Sequence, residues 1–240
     1  MEKNNKLQYN RIILKISGEA IAGESLLFDL ETVEKLSAEI VEVQKMGIEI
    51  GLVIGGGNII RGEKLSGFGF NRNRSDYMGM LATVINGLLF ENVFLSKGVP
   101  AVLLSALKVE TITESIILKN TSHYFKEKTI IIFVGGTGNP FFTTDTAAAL
   151  RACEIEADVF LKATKVDGVF DKDPAVFNDA KFYRTISYDE VLKKKLKVMD
   201  MTAVSMCRDN RIPVIIFNMH QSGNIKKIVT GDTIGTTIKE

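Results

Sequence analysis

The sequence predicts an α/β protein: a mostly parallel β-sheet sandwiched between helices. Two observations carry this. Short β-branched runs alternate with segments whose apolar residues recur at helical spacing, the pattern of strands joined by crossover helices. Four of the strand ends also open into glycine- or hydroxyl-bearing turns: Lys15-Ile16-Ser17-Gly18, Gly55-Gly56-Gly57-Asn58, residues 135–145 and residues 164–173. In open α/β sheets ligands sit beyond the carboxyl ends of the strands, so these turns predict one binding rim.

Taken in order, Arg11–Ile16 is a strand closed by Ser17-Gly18. Asp29 is a helix cap, Val33, Leu36, Ile40 and Val43 form the apolar stripe, and Gly47 ends the helix. Residues 48–54 are a second strand, followed after the triple glycine by a polar, glycine-containing loop over 61–74. Asp76 begins a helix whose stripe is Met80, Leu81, Val84, Ile85, Leu88 and Leu89. Residues 100–104 are a strand, 113–125 a helix, and 129–134 a strand leading through 135–145 into a helix that ends at Cys153. The second half continues with a strand at 158–162 and a loop, with room for a hairpin, over 163–174. A helix from Asp200 to Asn210, a strand at 213–217 and a short helix at 223–229 follow. No linker and no internal repeat divides residues 1–240, so one continuous domain is expected.

Composition narrows the function classes. Of 240 residues 45% are apolar and 25% charged, ordinary for a globular protein. A formal charge of +1 gives no electrostatic case for nucleic acid or an anionic membrane as main partner. Only His123 and His220 are present, so a histidine metal site or Ser-His-Asp triad is hard to assemble. Cys153 and Cys207 lie far apart without metal-type spacing and read as reduced thiols. The polar first ten residues carry no signal peptide, and no apolar run nears the roughly 18 residues that cross a membrane. A cytoplasmic protein is expected.

Phosphoryl transfer needs cations on the moving group and backbone donors to align it, with little covalent help. The turn Gly135-Gly136-Thr137-Gly138-Asn139-Pro140-Phe141-Phe142-Thr143-Thr144-Asp145 suits a phosphate, because it joins close-approaching glycines to a helix N-terminus. Neither the Walker A pattern nor G-x-G-x-x-G is present. Lys15 is a candidate cation or an edge-strand lysine in solvent. Arg61 is a second cation or, with Arg72 and Arg74, a solvated loop arginine. Asp76 is a sugar-hydroxyl acceptor or only a helix cap. Asp145 orients Lys15 or a Mg²⁺-bound phosphate, or only complements the helix dipole. Asp167, Asp171 and Asp173 form an acidic loop without EF-hand spacing, and Lys193-Lys194-Lys195 reads as a solvated helix face.

Six stretches carry a family resemblance. They are Lys15-Ile-Ser-Gly-Glu-Ala20, Val53-Ile-Gly-Gly-Gly-Asn58 with Arg61-Gly62, and Asp76-Tyr-Met-Gly-Met-Leu-Ala-Thr83. The others are Gly136-Thr-Gly-Asn-Pro-Phe-Phe-Thr-Thr-Asp145, Lys162-Ala-Thr-Lys-Val-Asp-Gly-Val-Phe170 and Lys197-Val-Met-Asp200. In order and spacing they resemble the bacterial uridylate (UMP) kinases of the amino acid kinase family, over nearly the whole chain. The resemblance implies an amino acid kinase-like fold and the reaction UMP + ATP → UDP + ADP, with Mg²⁺ held mainly by nucleotide phosphates. It also implies a homohexamer. It assigns Lys15, Ser17, Gly18, Gly57, Arg61, Thr164, Phe170 and Asp173 to ATP. To UMP it assigns Gly56, Asp76, Thr137, Gly138, Asn139, Pro140, Phe141, Phe142, Thr143 and Thr144. Lys15, Asp145 and Asp200 are its catalytic set, with the acceptor on the N-terminal side and ATP on the C-terminal side. Many relatives carry a Gly-Phe-Gly element linked to GTP activation, where this chain has Gly23-Glu24-Ser25-Leu26-Leu27-Phe28 and one residue fewer. The expectation of GTP activation therefore does not carry over.

Overall fold

The strand that carries Lys15 is the centre of the molecule. In a computed structural model describing residues 7–23, 26–60, 69–172, 174, 176, 177, 179–196 and 198–240, β1 (Arg11–Ile16) lies fifth in a nine-stranded sheet. It pairs in parallel with β2 (Glu49–Ile54) on one side and β6 (Val159–Thr164) on the other. Beyond β2 come β5 (Ile130–Val134), β3 (Ala101–Ser105) and the two-residue β4 (Glu114–Ser115). Beyond β6 come β10 (Val214–Asn218), β11 (Thr236–Lys239) and β9 (Thr185–Ser187). Within this sheet, among the described residues, the β10–β11 pairing alone is antiparallel. Chain order moves away from β1 on one side and returns to its other side, so the topological switch, and the crevice it opens, falls at β1.

Helices cover both faces, which is why the strands read as nearly unbroken apolar runs. Ile12, Leu14 and Ile16 point into one core with residues of α1 (Leu30–Lys45), α2 (Arg72–Ser96) and α7 (Asn224–Val229). Ile13, Val53 and Phe133 point into the other, under α4 (Thr144–Glu154) and α6 (Met201–Asp209). The Asp29 cap is as predicted: its carboxylate accepts the Thr32 N–H at 3.1 Å.

Several expectations are corrected. The second helix starts at Arg72, capped by Asn71, so Asp76 is not its cap. Its stripe is only half right: Met80 and Val84 are buried, but Leu81 and Ile85 are exposed. By length and composition this helix reaches a membrane-crossing measure, although half of its most apolar window is buried inside the fold. The segment 113–125 is not one helix but β4 followed by α3 (Leu118–Lys126). The 163–174 loop does turn into a hairpin strand: β7 (Val169–Phe170) pairs antiparallel with β8 (Phe182–Tyr183) in a second small sheet. Strands β9 and β11 and helix α5 (Tyr188–Lys194) carry no signal strong enough to be predicted, being short pieces whose pairing is long-range.

Candidate active site

Lys15 and Lys162 are direct partners in the parallel β1–β6 register. Side chains alternate across a strand, so two residues in register share a face and stand about one strand spacing apart. Asp145, in the first turn of α4, comes down over that face between them. Its Oδ1 is 2.9 Å from Lys15 Nζ and its Oδ2 is 2.5 Å from Lys162 Nζ. All three side chains are about nine-tenths buried. Burial alone would raise the Asp145 carboxyl, but the ammonium groups of Lys15 and Lys162 outweigh it and hold the group below the ordinary carboxylate range. For Lys162, burial leads and lowers the ammonium, which Asp145 only partly offsets while Lys15 pushes the same way as burial. Lys15 is thus no edge lysine. Asp145 does not cap its helix either: the cap is Thr143, whose hydroxyl accepts the N–H of Asp145 and Thr146 at 3.0 and 3.3 Å.

Asp200 caps α6 by accepting the Ala203 N–H at 2.9 Å. The same carboxylate accepts the hydroxyls of Thr143 and Thr146, at 2.5 and 2.9 Å. One acid therefore ties together two helix N-termini, whose partial positive charge favours anions. It also helps keep Lys162 charged, and the Lys162 ammonium reaches the Val198 carbonyl, two residues from Asp200. In this arrangement Asp200 positions the Thr143–Asp145 corner.

Ser17 and Gly18 leave β1 against the turn that leaves β2. A Cβ on Gly18 would lie 2.5 Å from Gly55 O, 2.6 Å from Gly57 N and 2.7 Å from Asn58 Oδ1, so only glycine fits. The third turn winds through Gly135, Gly136 and Gly138, all at positive φ, and Phe141 also lies at φ 72°. That strained residue is fastened by Asp76: the Phe141 N–H donates to Asp76 Oδ2 at 2.8 Å, while Arg72 Nε donates to Asp76 Oδ1 at 2.8 Å. Asp76 is buried in its side chain, and Arg72 lies over the Phe141 ring. Asn139, Pro140, Phe141 and Phe142 form the open lip of this turn. Thr137 braces it from inside, its hydroxyl donating to the Asn139 carbonyl, and Thr144 begins α4 beside Gly55.

A cavity of about 550 Å³ opens on the other side of Lys162. Thr164, Phe170, Val198 and Ile216 line it, and so do Lys194 and Lys195. The lysine run is exposed, as expected of a solvated face, and two of its members also line the edge of this cavity. Arg61 and Asp173 lie outside the described residues. Sequence reasoning placed Lys162 in a motif but gave it no role. The available signal was a lysine inside a buried strand, Val159–Thr164, the same anomaly that marks Lys15 in β1.

Buried cations clamped by a carboxylate, beneath glycine turns and two helix mouths on a parallel sheet, define a phosphotransferase-type site. Residues 10–218 match the amino acid kinase family. The chain is 49% identical over 231 residues, 96% of its length and 98% of the relative's, to the uridylate kinase of Haemophilus ducreyi (strain 35000HP / ATCC 700724). Among solved structures it is similar to the UMP kinase from Bacillus anthracis, with a TM-score of 0.93, 35% identity and 96% of each chain covered. The UMP kinase from Ureaplasma parvum gives 0.91 and 35%, covering 98% of this chain and 100% of that one. The chain belongs to the amino acid kinase family, within its uridylate kinase branch.

Proposed function

We infer that this protein is a UMP kinase: it transfers the γ-phosphoryl group of ATP to UMP, releasing UDP and ADP. The observation that carries the chemistry is Asp145 gripped between Lys15 and Lys162 on paired central strands. The UMP phosphate oxygen is already a nucleophile, so no general base is required; the reaction needs alignment and charge compensation. Lys15 and Lys162 neutralise charge that builds on the transferring phosphoryl oxygens. Asp145 fixes both ammonium groups and partly offsets the lowering that burial imposes on Lys162. The glycine turns after β1 and β2 supply backbone donors, and the α4 and α6 N-termini add fixed positive potential.

In this reading the acceptor lies over the N-terminal half, against Gly56, Asp76 and the segment Thr137 to Thr144. ATP lies over the C-terminal half, with Ser17, Gly18 and Gly57 at its phosphates and Thr164 and Phe170 in the cavity; Arg61 and Asp173 are assigned to ATP by resemblance. Lys194 and Lys195 add cationic wall to the donor side. Among the described residues no three His, Cys, Asp or Glu side chains converge on a metal-sized space. In this reading Mg²⁺ would arrive on the nucleotide, held mainly by its phosphates, and would supply further charge neutralisation. A homohexamer in the cytoplasm, serving pyrimidine nucleotide synthesis, completes the proposal. The exposed Met78, Leu81 and Ile85 of α2 give subunits an apolar face to bury.

The test is ADP release with Mg-ATP and a panel of UMP, CMP, dTMP, AMP, carbamate and N-acetylglutamate. Strong selectivity for UMP is expected. Turnover of carbamate or a carboxylate would make this a different kinase of the family, and ATP binding without any turnover would make it a nucleotide-binding protein.

A further inference from the structure

The turn after β2 is shaped by a residue outside every stretch considered so far. Asn86 lies in the middle of α2 and is wholly buried. Its Nδ2 donates to the Gly55 carbonyl at 2.6 Å and to Asn58 Oδ1 at 2.7 Å, and its Oδ1 accepts from Asn58 Nδ2 at 3.1 Å. One side chain thus holds both ends of the four-residue turn. Gly55 is fixed from its other side as well, because its N–H donates to the Ile16 carbonyl at 2.9 Å. Helix α2 presses on the middle of the turn, where a Cβ on Gly56 would lie 2.7 Å from Gly79 O and 2.8 Å from the Ala82 Cβ. Among the described residues, no hydrogen bond engages the N–H of Gly56, Gly57 or Asn58. Successive free backbone donors of this kind form an anion cradle, and their value depends on their being held in advance.

We propose that Asn86 is a positioning residue for phosphoryl transfer: by clamping Gly55 and Asn58 it sets the direction of the Gly56 and Gly57 N–H groups toward the phosphates. It touches neither nucleotide itself. This deepens the kinase reading and rests on it. A buried asparagine that only stabilised the helix packing would change melting temperature. One that aims donors at the reacting group changes turnover, because misplacement by about 1 Å can cost on the order of 100-fold.

The experiment compares wild type, Asn86→Leu, Asn58→Ala and the double variant for kcat, KM of each nucleotide and thermal unfolding. Asn86→Leu keeps the size but removes both donated bonds. It is expected to lower kcat by about 30- to 100-fold while both KM values stay within about threefold. Asn58→Ala leaves the Gly55 bond intact and is expected to lower kcat by roughly tenfold with the same split. Because both act through one turn, the double variant should be little worse than Asn86→Leu alone. A folded Asn86→Leu protein with wild-type kcat overturns the proposal, as do losses confined to KM or strictly multiplicative losses in the double variant. Should Asn86→Leu fail to fold, Asn58→Ala, at a residue only partly buried, carries the test, and an unchanged kcat there is equally fatal. A wild-type chain that leaves UMP unphosphorylated overturns the kinase reading instead, and the role of Asn86 with it.

Discussion

Asp145→Asn tests the centre of the mechanism, since it keeps the shape of the side chain and removes one negative charge. That charge is shared by two ammonium groups, each with about a tenth of its side chain exposed, at 2.9 and 2.5 Å. Water screens them little, and stripping one partner from a buried ion pair commonly costs about 3–5 kcal/mol of stability. Losing a preorganised electrostatic element of the transition state lowers kcat by roughly 10²–10³-fold, or about 3–4 kcal/mol. The KM for UMP should move by no more than about threefold, because the acceptor contacts proposed above involve Asp76 and the 137–144 turn rather than Asp145. The pH profile gives a second reading. Burial already lowers the Lys162 pKa, and Asp145 is what raises it back; without that charge Lys162 loses its proton at lower pH. The alkaline limb of kcat should therefore shift toward neutrality in the variant. Stability follows the opposite limb. The Asp145 pKa is lowered in the folded state, so its contribution is present above the unfolded carboxylate value of about 4 and fades as pH falls through the folded value. The stability gap between wild type and variant should close only in acid. ADP-release kinetics and thermal unfolding across pH measure all of this. Equal losses in kcat and UMP affinity, with an unmoved alkaline limb, would refute an organising role for Asp145.

Other perturbations probe the parts around it. Lys162→Met should lower kcat by roughly 10²-fold or more while costing far less stability than Asp145→Asn, because Asp145 keeps Lys15 and a methionine fills the space without a buried charge; steady-state kinetics beside a melting curve decide it, and a near-normal kcat would remove Lys162 from the mechanism. Asp76→Ala should raise the KM for UMP more than that for ATP, since it frees the Phe141 N–H and the acceptor lip; the reverse order would exchange the two pockets. Gly18→Ala forces a methyl group to within 2.5 Å of Gly55 O and 2.6 Å of Gly57 N, both backbone atoms, and should lower kcat/KM for ATP by about tenfold or more. A wild-type value there would mean that the two turns can separate freely.

The sequence by itself determined the α/β class and most of the first six strands and their helices, because parallel strands buried on both faces must be continuous apolar runs and their helices must carry a stripe. It also predicted a binding rim beyond the strand ends, since glycines and cap formers there mark the same kind of turn wherever they occur. Its long motifs carried the family. What it left open was each residue with two readings. Lys15 became a buried cation, Asp76 a latch on Phe141 rather than a cap, and Asp145 a bridge between lysines as well as an acid in the first turn of its helix, once strand order and register were in place. Lys162 stands 147 positions from Lys15 in the chain, yet lies beside it in the sheet. Nothing local in either strand encodes that meeting. The short pieces β9, β11 and α5 were missed for the same reason: their stability comes from long-range pairing and burial rather than from intrinsic propensity. Tertiary structure alone decided which charges face one another, because ion pairing and burial act between segments that only the folded sheet brings together.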